Sequence, residues 1–100
     1  MNTELSRDGR TVTITVSGRF TTDETARFLK TIEPLKEETG LDVLAELSGL
    51  DFISSAGLRC FVMLLKTCSS AGSTLTLKHL TPQIRDIFTL TSLLDKFNVE

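Results

Sequence analysis

The sequence has one histidine and two cysteines, Cys60 and Cys68, among its 100 residues. At these spacings they match no zinc pattern, so a metal centre is not expected. The cysteines lie eight positions apart on one predicted helix, about 12 Å along its axis and too far for a disulfide. They read as small buried hydrophobes in a reducing compartment. No apolar run approaches the roughly 20 residues that span a bilayer. The N-terminus, Met1-Asn2-Thr3-Glu4, is polar and acidic and carries no visible export signal. A cytoplasmic chain without membrane insertion is therefore expected. A Gly-rich phosphate loop with its lysine is missing, which argues against autonomous nucleotide hydrolysis. So is a Gly-x-Ser-x-Gly elbow, and nothing places His79 beside a serine nucleophile. Neither catalysis nor a cofactor is expected. The 11 Lys and Arg against 13 Asp and Glu leave a formal charge of -2. The basic residues are scattered along the chain, which argues against a nucleic-acid partner.

What is present is an ordinary globular composition, 40% hydrophobic and 24% charged, on a length suited to a single domain, 1–100. Residues 10–17 alternate polar and β-branched apolar side chains, the pattern of a half-buried strand. Asp8-Gly9 before them signals a hairpin turn, so Glu4–Arg7 is predicted as an antiparallel edge strand. Thr21 and Glu24 have capping-box spacing at the start of a helix with Phe28, Leu29, Ile32 and Leu35 as its buried stripe. Pro34 falls inside that pattern and predicts a break near residue 33. Leu41–Leu47 reads as a strand with Glu46 as an odd inner residue, and Phe52-Ile53 as a short apolar segment. The run from Leu58 to Ser69 is a helix buried on most sides, and Thr74–His79 is a strand with Leu75 and Leu77 inward. Thr81-Pro82 is a cap and first turn for a helix carrying Ile84, Ile87 and Phe88. This alternation predicts an α/β fold, a mixed, mainly parallel sheet of four to five strands with helices packed on it.

In such sheets sites gather at the carboxyl ends of strands, and residues 51–58 are such a junction. Ser54 and Ser55 face the positive end of a helix dipole, and Ala56 and Gly57 are small enough for close approach of other backbone. Either serine can cap the helix, a contribution of about 1 kcal/mol. A phosphate there would add about -1.5 to -2 charges, which the helix dipole favours by about 0.3–2 kcal/mol. The domain should thus survive phosphorylation, and the effect should fall on whatever docks. Helical placement at 100° per residue puts Ala56, Arg59, Met63, Lys66 and Ser70 on one side, outside the core stripe. Met63 between two cations suits an adaptable contact surface.

The stretch Leu47-Ser-Gly-Leu-Asp-Phe-Ile-Ser-Ser-Ala-Gly-Leu58 resembles the signature of STAS domains, the family of bacterial anti-sigma factor antagonists. Val16-Ser-Gly-Arg-Phe20 is similar to the family's second strand and turn, and Thr81-Pro-Gln-Ile-Arg-Asp-Ile-Phe88 to the start of its later helix. The resemblance implies a non-enzymatic regulator that binds an anti-sigma factor, itself a serine kinase, and so frees a sigma factor. It places the phosphorylated serine at Ser55 and implies a serine phosphatase that restores binding. Partner contacts are then expected at Thr21, Ser54, Ser55, Ala56, Gly57, Arg59, Met63 and Lys66, in a protein monomeric when unbound. The chain departs from the family pattern in places. Ser54 stands where the best-known members carry Asp, Ala56 replaces a second serine, Thr21 stands where Asp is frequent, and Ser92 where Gly is common. The chain also ends short of a full final helix. The rival reading is a STAS subunit or scaffold of another complex, such as a lipid transporter's ATPase or a stress-signalling assembly, with Ser55 only a helix cap.

Overall fold

Strand β2, Thr11–Phe20, keeps the alternation of its sequence: Val12, Ile14 and Val16 are buried, and the threonines between them stay half-buried on the other face. The computed structural model describes residues 1–100. Strand β1, Asn2–Asp8, runs antiparallel to β2 with Asp8 opposite Thr11, which leaves Gly9-Arg10 as the turn. Gly9 has φ +62°, the left-handed region that glycine enters without Cβ strain. Every other pairing is parallel. Strands β3 (Asp42–Glu46) and β5 (Thr74–Lys78) extend the sheet, and β6 (Asn98–Val99) closes it in the order β1-β2-β3-β5-β6. Strand β4, Leu50–Ile53, pairs with β2 beyond a bulge at Gly18/Arg19. β2 therefore serves two neighbours in succession, β3 along Thr11–Thr15 and then β4 along Gly18–Phe20.

The mixed, mainly parallel sheet agrees with expectation, but it has six strands where four to five are predicted. The surplus is β6, two residues long, with β4 a strand of its own at only four. Elements this short hold only one or two cycles of a period-two alternation, too few to stand out in the sequence.

Helices α1 (Thr25–Ile32), α2 (Ser55–Ser70) and α3 (Pro82–Leu90) pack on the sheet. The capping box expected at Thr21 and Glu24 does not form. Thr21 precedes a 3-10 turn, Thr22–Glu24, and its hydroxyl donates to the Asp23 carboxylate instead of accepting from a backbone amide. The Glu24 carboxylate turns to two cations, the N-terminal ammonium at 3.8 Å and Arg27 at 3.6 Å. The α-helix starts only at Thr25. It stops at Ile32, where a 3-10 segment, Glu33–Glu37, takes Pro34 into its first turn, as the missing N–H requires. Thr81 caps α3 as read from the sequence, accepting from the Ile84 amide at 3.3 Å with Pro82 in the first turn. No full helix follows α3; a short 3-10 turn at Leu94–Lys96 leads directly into β6.

A line of phenylalanines ties the layers together. Phe20 of β2 meets Phe28 of α1 at 5.0 Å and Phe61 of α2 at 5.9 Å between ring centroids, and Phe61 meets Phe88 of α3 at 6.0 Å. Tilted and edge-on contacts of this kind add about 0.5–1.5 kcal/mol each beyond simple burial. Phe61 is thus the ring at which β2 and all three helices meet.

Candidate functional site

Phe20 of β2 lies opposite Ile53 of β4 in parallel register, so the two strands end side by side. Thr21 and Ser54, the next residues, emerge together at the carboxyl edge of the sheet. The Ser54 amide donates to the Phe20 carbonyl at 2.9 Å, which sews the two chain ends to each other. Ser54 has extended backbone angles, φ -80° and ψ 166°, and its hydroxyl accepts from the Gly57 amide at 3.0 Å. It is the cap of α2. Ser55 is therefore the first residue of the helix proper, exposed, and not needed for that bond.

Gly57 has a different task from the expected one. It is buried, and a Cβ built there would lie 2.9 Å from Ile53 Cγ1 and 3.0 Å from the Phe20 ring. The close approach its small size permits is therefore inward, between α2 and the ends of β2 and β4. Gly57 belongs to the floor beneath the site and not to the surface a partner would meet.

The outer side of α2 follows the helical placement read from the sequence. Arg59, Met63, Lys66 and Ser70 are exposed and Ala56 is half-buried; Met63, 45% accessible, is one of three large apolar side chains left exposed, with Leu5 and Leu90. Cys60 and Cys68 are buried and not joined to each other. Burial pushes the Cys60 thiol up against a weaker opposing pull from Arg59, and pushes Cys68 up to about 11.

Helix α1 adds residues that sequence reasoning did not place in the site. Thr25 and Leu29 form, with Ala56, Arg59 and Met63, a recess of 170 Å³ just behind Ser55. No local signal marks them, because the approach of α1 to α2 depends on the Phe20–Phe28–Phe61 cluster beneath. Thr21 is half-buried, and its hydroxyl holds the Asp23 carboxyl below the usual range. Arg19 and Phe52, register partners on the exposed side of β2 and β4, stack with the guanidinium 4.5 Å from the ring centroid.

Chemically the site offers an exposed hydroxyl at a helix N-terminus and little else. The one histidine, His79, bonds Glu46 Oε2 through Nδ1 at 2.7 Å, and Ser55 has no base among its hydrogen-bond partners. Burial pushes the Glu46 carboxyl up, but hydrogen bonds from His79 and Ser48 outweigh it and hold the group below the usual range. No three His, Cys, Asp or Glu side chains come together to hold a metal ion, and no helix is long and apolar enough to cross a membrane.

The family model described as "Mlab, STAS domain" matches residues 3–97. No curated protein sequence is significantly similar to this chain. Among solved structures, a proposed anti-sigma factor antagonist from Thermotoga maritima is similar over 97% of this chain and 84% of its own, with a TM-score of 0.87 at 19% identity. The anti-sigma factor antagonist SpoIIAA of Bacillus, unphosphorylated, is similar over 99% of this chain and 88% of its own, at TM-score 0.81 and 18% identity, and it is also known in a phosphorylated form. A sulfate transporter family protein from Wolinella succinogenes is similar over 92% of this chain and 77% of its own, at TM-score 0.80 and 14% identity. At these identities the likeness is one of fold.

Proposed function

Because the chain belongs to the STAS domain family, we propose that it is an anti-sigma factor antagonist: it binds an anti-sigma factor that is also a serine kinase, and phosphorylation of Ser55 switches it off. The observation that carries this reading is the division of labour between adjacent serines. Ser54 caps α2, which leaves the Ser55 hydroxyl exposed at the positive end of the dipole. A phosphate on Ser55 would be tolerated there, favoured by about 0.3–2 kcal/mol, because it joins a helix N-terminus without breaking the cap. Its bulk and its tightly held water would fall instead on a protein docked over Ala56, Arg59, Met63 and Lys66. The phosphorylated form known for SpoIIAA is consistent with a fold that accepts such a group. A serine phosphatase would reverse the modification.

The second reading, a STAS subunit or scaffold of another assembly, is favoured by the likeness to a sulfate transporter family protein. In that case Ser55 would have neither a switching nor a capping role. Intact mass after incubation with the host's anti-sigma kinases and ATP separates the two. The switch requires one added phosphate, absent in Ser55→Ala. It also requires binding at least about 100-fold weaker, 2.7 kcal/mol, for the phosphorylated form by calorimetry. Equal affinities, or no phosphate transfer to Ser55, would leave the scaffold reading.

A further inference from the structure

Helices α1 and α2 carry four cations, Arg27, Lys30, Arg59 and Lys66, and no carboxylate, in a chain whose net charge is -2. Arg27 is paired with Glu24 at 3.6 Å, but Lys30, Arg59 and Lys66 have no acidic partner within the chain. Between the two helices runs a groove of 530 Å³ lined by Leu29, Ile32, Lys30, Lys36 and Met63. The carboxylate on its wall, Glu33, is already paired with Lys36 at 3.3 Å. The same groove side chains, Leu29 and Met63, also line the recess at Ala56 and Arg59, so the depression continues toward Ser55. Lys30 lines the groove itself, Arg59 lines the recess at one end, and Lys66 lines an adjoining pocket that shares Lys36 and Thr67 with the groove. An apolar floor with unpaired cations set around it is a surface of defined complementarity.

We propose that the α1–α2 groove receives an amphipathic helix of acidic character from the partner, with apolar side chains on Leu29 and Met63 and carboxylates facing Lys30, Arg59 and Lys66. This deepens the docking reading of the Ser55 face and rests on it. Ser55 to Lys66 spans about 16 Å of helix axis, enough to face three turns of a docked helix. Nucleic acid or a flat anionic bilayer would use the cations but would leave the recessed apolar floor of Leu29, Ile32 and Met63 unfilled. The proposal also sets the sign of the control. A phosphate on Ser55 would stand one turn from Arg59, draw that cation to itself and meet the incoming carboxylates with like charge.

The test uses the whole 15N-labelled chain and a synthetic helical peptide of about 15 residues, leucines on one face and glutamates on the other. A control peptide carries lysine in place of every glutamate. Amide shifts should concentrate at Leu29, Lys30, Met63 and Lys66 with the glutamate peptide and not with the lysine peptide. Binding should weaken about tenfold in Lys30→Glu/Lys66→Glu, less in the double Gln variant, and about tenfold as salt rises from about 0.05 to 0.5 M. Both lysines are exposed, so the melting temperature should stay unchanged and show that the fold is intact. The proposal is overturned if the glutamate peptide shifts nothing in the groove, if the lysine peptide binds as well, or if the reversed variant binds undiminished. Binding to phosphatidylglycerol vesicles at the same residues in place of the peptide overturns it too. Neither kinase nor phosphate enters this measurement, so a groove that binds while Ser55 proves unmodified separates the two claims.

Discussion

Replacing Ser54 and Ser55 one at a time by alanine tests the division of labour at the start of α2. In Ser54→Ala the Gly57 amide loses its acceptor at 3.0 Å. Loss of a serine cap costs about 0.5–2 kcal/mol. Gly57 is buried, so water does not readily replace the lost oxygen, and the cost belongs in the upper half of that range, about 1–2 kcal/mol. For a domain of this length each kcal/mol lowers Tm by about 4–8 °C. Ser55→Ala removes an exposed hydroxyl from the first turn and inserts the best helix former, a change within about 0.5 kcal/mol. Ser54→Asp keeps a cap oxygen and should recover most of the loss. The chain has no tryptophan or tyrosine, so urea unfolding is best followed by far-UV circular dichroism, comparing midpoints at unchanged slope. If Ser55→Ala proves as costly as Ser54→Ala, or Ser54→Ala is silent, the cap has been assigned to the wrong serine. The switch reading would then lose its main support.

Gly57→Ala should lose about 1 kcal/mol by calorimetry. The gain of about 1 kcal/mol in helix propensity is outweighed by a Cβ pressed within 2.9 Å of Ile53 and 3.0 Å of Phe20; a stabilised variant would show that α2 can lift freely. Cys60 and Cys68, buried with raised thiol pKa values, should resist iodoacetamide at about pH 8 in the native protein and both react in urea; mass spectrometry reads the count. Glu46 has a folded pKa below its ordinary 4.5, so its stabilising contribution is complete above that value and fades as pH falls through the lower folded value. Glu46→Gln should flatten that part of the acid limb in urea midpoints measured from about pH 6 to pH 3; an unchanged limb would remove the role assigned to its bonds with His79 and Ser48.

Much of this protein is legible locally. The alternation in Thr11–Phe20, the apolar run of α2, the break at Pro34 and the Thr81 cap are each written in a few neighbouring residues, because backbone periodicity and capping act over one or two turns. The junction that holds the candidate site is legible for the same reason: small and hydroxylated residues stand where β4 hands over to α2. Other features required the assembled molecule. Leu50–Ile53 becomes a strand only because the bulge at Gly18/Arg19 turns β2 toward it, and Asn98–Val99 only because β5 offers a free edge. Thr21 and Glu24 have the spacing of a capping box, yet Asp23, Arg27 and the N-terminal ammonium compete for the same groups and win. Ser54, and not Ser55, is the residue tied to the end of β2 through its amide bond to the Phe20 carbonyl, and packing around Phe20, Phe28 and Phe61 lays Leu29 and Lys30 of α1 alongside Met63 and Thr67 of α2. Local patterns decide what each segment becomes; contacts between residues far apart in the chain decide which hydroxyls and charges are left exposed at the surface.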